Sequence, residues 1–144
     1  MASYELKNLS AYDFELLTKD LLEKELKLPL ESFSVGKDQG IDIRYSSAKK
    51  NQIVIQCKHY IGSKLSDLLT AATRELPKVK LLQPERYILV TSLGLLPDAK
   101  DKIKEVFSPY IQSTQDIIGY EALNDLTSKH KDVERKHYKL WMTS

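Results

Sequence analysis

The chain lacks the features that mark secreted and membrane proteins. Its 144 residues include a single cysteine, Cys57, which excludes an internal disulfide and fits a reducing compartment. No run of about 18 apolar residues occurs, so no membrane-spanning helix is expected. The N-terminus, MASYELKNLS, has no basic start followed by an apolar stretch and does not resemble an export signal. We therefore expect a cytoplasmic protein that does not enter a membrane.

An excess of charge of one sign is also missing. There are 22 Lys and Arg residues against 20 Asp and Glu, a formal net charge of +2, so any surface for nucleic acid must come from local clustering of basic side chains. A hydrophobic content of 42% in a chain of this length supports one core. We expect one domain over residues 1–128 and a C-terminal helix or connector over 129–144. A connector would pack on a following module or on a second copy of the chain, whereas a final core helix would pack on its own sheet.

Apolar spacing and turn residues predict the helices. The first begins after Ser10, which caps it, and continues to about Leu26. The second is capped by Ser63 or Ser66 and ends at Pro77. Two further helices are expected, one beginning at Pro97 and one over residues 120–141.

Strands are predicted between these helices. Residues 36–60 are typical of a β-hairpin, Tyr87 to Val90 form an apolar run expected of an interior strand, and Asp116 to Ile118 form a short strand. The order of elements predicts an α/β fold in which helices cover both faces of a mixed β-sheet.

The hairpin brings polar residues together on one face. Side chains alternate along a strand, so a turn centred on Lys49 places Asp42 opposite Gln56. Lys58 is then the diagonal neighbour of Asp42, about 7–8 Å away between Cα atoms. The opposite face is apolar and comprises Ile41, Ile43, Tyr45, Ile53, Ile55 and Cys57. A carboxylate and an amide oxygen are hard ligands suited to Mg²⁺, and a nearby ammonium can assist an attacking water or stabilise charge on phosphorus.

These residues resemble a known signature. The sequences Gly-Ile-Asp at 40–42 and Gln-Cys-Lys at 56–58 are similar to the G-x-D and Q-x-K strands of the Mrr-like branch of the PD-(D/E)XK restriction endonuclease superfamily. That branch often has a glutamate on the first helix, and Tyr-Asp-Phe-Glu at 12–15 resembles this element. Gln56 stands where most of the superfamily has Asp or Glu, but glutamine is common in the Mrr-like branch.

The resemblance implies both a fold and an activity. The fold is a restriction-endonuclease-like sheet with an α-β-β-β-α-β core. The activity is a Mg²⁺-dependent endonuclease, with Mn²⁺ as a substitute, that hydrolyses double-stranded DNA. The catalytic residues would be Asp42, Gln56, Lys58 and Glu15, and the metal ligands Asp42 and Gln56. Residues 85–95 and 108–126 resemble nuclease domains that precede STAND-type NTPase modules in antiphage defence proteins, which also suggests a homo-oligomer.

Alternatives exist for several of these assignments. Glu15 has the position of an ordinary surface glutamate at the edge of an amphipathic helix. Arg44, Lys49 and Lys50 either grip DNA phosphates or form a soluble turn, and Tyr60 either packs on a sugar or covers the strand end. The whole chain is alternatively a catalytically silent DNA-binding or oligomerisation module, or a junction- or RNA-directed nuclease. Substrate competition would decide between DNA and these other substrates, because no base-reading element or aromatic stacking platform is evident.

Overall fold

The computed structural model describes residues 4–33, 42–46, 52–60 and 64–141. In chain order its helices and strands are α1 (Ala11–Leu26), β1 (Glu31–Ser32), β2 (Ile43–Tyr45), β3 (Ile53–Lys58), α2 (Leu65–Leu82), β4 (Arg86–Thr91), α3 (Pro97–Val106), β5 (Ile117–Ile118), α4 (Tyr120–Lys129) and α5 (Lys131–Lys136). The run from α1 to β4 has the α-β-β-β-α-β order that the resemblance implies. The pattern of apolar and turn residues did not predict β1, which is the first of the three consecutive strands in this order.

The β-strands of this region form one mixed sheet in the order β1-β2-β3-β4-β5. The first three strands are antiparallel, whereas β4 is parallel to both β3 and β5. In the β2–β3 pair, Ile43 lies opposite Ile55 and Arg44 opposite Val54, which is the predicted hairpin register. Side chains of β4 alternate between two cores: Ile88 joins the core beneath α1, while the neighbouring residues on either side join the core beneath α2 and α3. The predicted α/β fold is confirmed.

The N-terminal cap of helix α1 and the side that it buries are both explained by its local sequence. Ser10 Oγ accepts from the Asp13 backbone N–H at 3.0 Å, and the Asp13 carboxylate accepts from the Ser10 N–H at 3.1 Å. This capping box satisfies two N–H groups that the first turn would otherwise leave without partners, and a cap of this kind contributes about 1 kcal/mol. Phe14, Leu17 and Leu21 are each fully buried against the sheet. The predicted helix is confirmed.

Helix α2 differs from the prediction at both ends. Its cap is Lys64, whose backbone N–H donates to the Asp67 carboxylate at 2.9 Å, while Ser66 lies inside the helix and Ser63 lies outside the described residues. The helix continues through Pro77 to Leu82. Pro77 is exposed, and so is Thr73, whose carbonyl loses its helical donor to the proline. Water can replace that donor on an exposed side, so the helix does not have to end there.

The C-terminal segment packs on α1 and the N-terminal residues. Residues 120–141 were predicted as one helical stretch, but α4 and α5 are separated at His130, and a 3₁₀ turn follows. Val133 and Leu140 are buried in the core beneath α1, and Leu140 accepts a backbone hydrogen bond from Glu5 at 2.9 Å. Trp141 stays 55% exposed. The domain boundary after residue 128 stays a prediction. No helix within the described ranges is both long and apolar enough to cross a membrane.

Candidate active site

The candidate site lies where the hydrogen-bonded pairing of β2 with β3 ends. The last paired residues of these strands are Ile43 and Ile55, but β3 continues along β4 as far as the pair of Lys58 with Thr91. Asp42 immediately precedes β2. Among the described residues, the end of β3 therefore has β4 on one side and, on the other, the Asp42 side chain instead of a paired strand. Such an opening in a sheet gives a ligand access to side chains held by regular secondary structure.

Asp42 bridges this opening with its carboxylate. Its Oδ2 accepts a hydrogen bond from Gln56 Nε2 at 2.9 Å and another from the Cys57 backbone N–H at 2.8 Å. The second bond satisfies a strand N–H that lies beyond the β2–β3 ladder. The structure thus brings together Asp42 and Gln56, as the predicted register requires. The roles assigned to them stay predictions.

Gln56 carries a buried oxygen that has no protein partner in the described part of the chain. The side chain is 4% exposed, and its amide nitrogen is engaged by Asp42. Its Oε1 is buried and makes no hydrogen bond to any described residue. A buried acceptor left in this state costs about 1–3 kcal/mol, so such an atom in a folded protein calls for a water, an ion or a functional role. Amide and carboxylate oxygens are ligands for hard cations.

Lys58 is held by a carboxylate that the sequence analysis did not identify. Its Nζ lies 3.3 Å from Oε1 of Glu75 on α2, and both side chains are largely buried. Lys78 is more distant, at 3.9 Å from the same oxygen, and half exposed. The other oxygen of Glu75, Oε2, is buried without a hydrogen-bond partner in the described ranges. A signal for Glu75 was present, because it interrupts the buried stripe of α2 formed by Leu68, Ala72 and Val79.

Tyr87 places a phenol on the same face of the sheet. It lies beside Val54 across the β3–β4 pair, its ring packs on Phe107 with centroids 4.8 Å apart, and it is fully buried. Burial raises the pKa of the Tyr87 phenol well above its ordinary value, and the negative charges of Glu75 and Asp42 raise it further. Both carboxylates therefore act on one hydroxyl. Tyr87 Oη is buried with no hydrogen-bond partner among the residues described.

Glu15 approaches from the other face of the sheet. Helix α1 packs on the core that contains Ile43 and Ile55, opposite to α2, and Glu15 is half-buried on it. Burial raises the pKa of the Cys57 thiol well above its ordinary value, with the charge of Asp42 as the next cause and a smaller contribution from Glu15. Glu15 thus lies near the strand that carries the site. Its catalytic role stays a prediction.

The pKa of Cys57 and the contacts of His59 favour structural roles for both. A thiol with a raised pKa is a poor nucleophile, in agreement with its expected place as a core residue. The His59 ring stacks on Phe14 with centroids 4.8 Å apart, and its Nε2 lies 2.7 Å from the Leu9 carbonyl oxygen.

The residues predicted to contact DNA are placed differently from one another. Arg44 donates from Nε to Glu31 at 3.2 Å, and its guanidinium lies 5.0 Å from the centre of the Phe33 ring. Tyr60 is half-buried and packs against the core beneath α2. Lys49 and Lys50 lie outside the described residues, as do Gly40 and Ile41.

Among the described residues, ionisable side chains alone do not form a metal site. In residues 4–33, 42–46, 52–60 and 64–141, no group of three or more His, Cys, Asp or Glu side chains is arranged to hold a metal ion. The amide oxygen of Gln56 is available as a further ligand for a cation bound beside Asp42. The buried, partnerless Oε1 fits that role.

Comparison with known proteins gives two matches to this chain. The family model described as "Restriction endonuclease", Mrr_cat, matches residues 6–117. The uncharacterized protein y4cD of Sinorhizobium fredii is 36% identical over 141 residues, which cover 98% of this chain but 22% of that protein. The chain therefore spans less than a quarter of the length of this relative. No solved structure matches the chain.

Proposed function

Because the chain belongs to the Mrr-type restriction endonuclease family, as the match over residues 6–117 shows, we propose that it is a metal-dependent endonuclease that hydrolyses phosphodiester bonds of double-stranded DNA. The observation that carries the proposal is the buried, partnerless Oε1 of Gln56 beside the Asp42 carboxylate. This oxygen is available to bind a ligand, and it lies where the G-x-D and Q-x-K strand motifs meet. Family membership itself supports a nuclease domain of the restriction endonuclease type.

Asp42 and Gln56 would hold the divalent cation, Mg²⁺ or Mn²⁺. They supply a carboxylate and an amide oxygen, a combination that suits a hard cation which retains several waters. When bound, the cation supplies Lewis-acid stabilisation of phosphate charge and a more acidic water. Asp42 is oriented for this role by the hydrogen bonds from Gln56 and from the Cys57 backbone. A ligand fixed in this way needs little rearrangement on binding.

Lys58 would act on the phosphate under attack. Its Nζ is a cation in a poorly hydrated position, since its side chain is 20% exposed, and electrostatic stabilisation is strongest where water is excluded. It would stabilise the negative charge that develops on the phosphorus oxygens and orient the attacking water. Glu15 would serve as an auxiliary acid from α1. Arg44, Lys49, Lys50 and Tyr60 would contact the DNA backbone without reading its sequence.

The larger protein would use this domain as its effector. The relative y4cD is several times longer than the chain, so most of that protein lies outside the region that this chain matches. We propose that the parent protein works in the cytoplasm in antiphage defence or restriction, as a homo-oligomer. In this proposal a C-terminal STAND-type NTPase module controls the nuclease.

The test is plasmid cleavage by matched pairs of variants. Supercoiled plasmid is incubated with the protein over a wide concentration range, with Mg²⁺, Mn²⁺ or EDTA. Asp42→Asn is compared with Asp101→Asn, and Lys58→Met with Lys102→Met, because both control residues are exposed on α3. We expect the wild type and the two controls to cleave, and the two site variants and the EDTA samples to remain inactive.

Binding separates inactivity from loss of the substrate. The same proteins are assayed for binding to a DNA duplex in the presence of Ca²⁺. Binding without cleavage at every concentration of the wild type would favour the catalytically silent module. Cleavage that persists in Asp42→Asn would show that the assigned site is not the active site. Preferential cleavage of branched DNA or RNA in competition with the duplex would redirect the proposal to those substrates.

A further inference from the structure

We propose that Glu75 is an additional ligand of the divalent cation at this site, through its Oε2, and that it supplies the carboxylate which the glutamine at position 56 does not. The inference rests on the proposed metal-dependent function. Neither the G-x-D motif nor the Q-x-K motif includes Glu75, which lies 17 residues beyond Lys58 on a different element.

The burial of Glu75 is the first argument. The residue is 9% exposed, and charged side chains are rarely buried to this degree unless they are paired or coordinate a metal. Lys58 provides the pairing, but only with Oε1. Oε2 is buried and has no hydrogen-bond partner among the described residues. The ion pair with Lys58 therefore accounts for the burial of Oε1. It does not account for the burial of Oε2.

The position of Glu75 is the second argument. It reaches the site face of the sheet from α2, as its contact with Lys58 shows. Asp42 bonds to the Gln56 side chain and Glu75 to that of Lys58. Gln56 and Lys58 are two residues apart on β3 and share one face of the sheet, so both carboxylates lie on that face. Three oxygens on this face are buried without a partner in the part of the chain that the structure describes: Gln56 Oε1, Glu75 Oε2 and Tyr87 Oη. A hydrated cation would provide ligands and water molecules for such a set.

The charge of the site is the third argument. The charges of Asp42 and Lys58 cancel, and Gln56 is neutral, so these three residues alone offer a divalent cation no net attraction. Glu75 makes the site net negative. Mg²⁺ sites in proteins commonly use one or two carboxylates, and the second is missing at position 56. With Glu75 the site regains the second carboxylate from a neighbouring helix.

Direct measurement of metal binding tests the proposal without relying on activity. Mn²⁺ is titrated into the protein in the absence of DNA, and bound Mn²⁺ is measured by electron paramagnetic resonance and by calorimetry. The proteins are the wild type, Glu75→Gln, Asp42→Asn and the control Glu105→Gln, which removes the same charge from an exposed residue of α3. Glu75→Gln is expected to weaken Mn²⁺ binding at least about tenfold. Glu105→Gln is expected to bind as the wild type does.

A second variant distinguishes a ligand from a holder of Lys58. Lys58→Met removes the positive charge and releases Glu75 Oε1. If Glu75 is a ligand, Lys58→Met binds Mn²⁺ several-fold more tightly than the wild type, and adding Glu75→Gln to it weakens binding again. If Glu75 only positions Lys58, adding Glu75→Gln to Lys58→Met leaves Mn²⁺ affinity unchanged, and the proposal is wrong.

The outcomes separate this inference from the proposed function. Wild-type protein that binds no Mn²⁺ at this site contradicts the metal-dependent function itself. Wild-type protein that binds Mn²⁺, loses it in Asp42→Asn and keeps it in Glu75→Gln supports the function and overturns the role of Glu75. Circular dichroism and urea unfolding in EDTA are measured for every variant, so that lost binding is attributed to a ligand only where the fold is retained.

Discussion

Gln56→Glu places a second carboxylate against Asp42, because the amide nitrogen that it replaces lies 2.9 Å from Asp42 Oδ2. The substitution changes one atom of a buried side chain and adds one negative charge. It removes a hydrogen bond to a charged acceptor, worth about 1.5–3 kcal/mol. It also brings two negative charges together, and these repel by about 4 kcal/mol at contact distance in a medium of dielectric about 20. Proton uptake by one carboxyl and local relaxation reduce the sum.

We expect the free energy of unfolding of Gln56→Glu in EDTA to fall by about 2–4 kcal/mol below the wild type. A divalent cation between the two carboxylates turns the repulsion into a stronger site. Saturating Mg²⁺ is therefore expected to restore most of the loss, because a ligand at 100 times its Kd stabilises the folded state by about 2.7 kcal/mol. The measurement is urea unfolding at mildly alkaline pH, with EDTA and with Mg²⁺.

Gln52→Glu is the matched control for this experiment. Gln52 Nε2 also donates to a carboxylate, Glu85, at 3.2 Å, but at an exposed position. The same chemical change there is expected to cost no more than about 1 kcal/mol and to be insensitive to Mg²⁺. If Gln56→Glu is as stable in EDTA as Gln52→Glu, the buried contact between Asp42 and Gln56 is refuted. If it is destabilised equally with and without Mg²⁺, a cation at that pair is refuted.

Three further predictions concern stability and reactivity. Burial raises the pKa of Asp20, but hydrogen bonds from His137 and Lys136 outweigh this and lower it below its ordinary value. The ionised Asp20 carboxylate therefore stabilises the folded state above the unfolded-state pKa of about 3.9, and this stabilisation is lost as pH falls through the folded-state pKa. Asp20→Asn should be less stable than the wild type by about 1 kcal/mol at neutral pH, and the difference should vanish in urea unfolding below about pH 3. Leu140→Ala, at a fully buried side chain, should cost about 2–5 kcal/mol in the same assay; a loss below about 1 kcal/mol would contradict the packing of the C-terminal segment. Cys57, whose pKa burial raises, should resist a thiol reagent in the native state and react quickly in urea, and equal rates in the two states would contradict its packing against the core beneath α1.

The hairpin could be predicted from the sequence because two simple constraints agree. Alternation of side chains separates Ile43 and Ile55 from Asp42 and Gln56, and a shift of one residue would exchange the two sets and place the polar one in the core beneath α1. Only the register that was predicted satisfies both strands. The G-x-D and Q-x-K motifs then identified the family correctly. Local pattern was sufficient wherever the constraint itself was local.

Glu75 and Pro77 show where local pattern failed. Spacing places Glu75 in the buried stripe of α2, but its pairing with Lys58 is set by contacts between elements that are separate in the chain. Pro77 is a strong helix breaker in general, yet its exposed position allows water to replace the lost donor. Both outcomes depend on the surroundings of the residue in the folded protein, which sequence spacing does not specify.

The backbone hydrogen bond between Glu5 and Leu140 has a consequence for engineering and for assembly. It holds the two ends of the described chain side by side, on the core beneath α1, while Gln56 and Glu75 lie on the side of α2. A protein fused to either end therefore departs from the same region, across the sheet from the site. That region is therefore a rational place to attach tags, fluorescent reporters or partner domains, and joining the two ends by a short linker is a rational start for circular permutation.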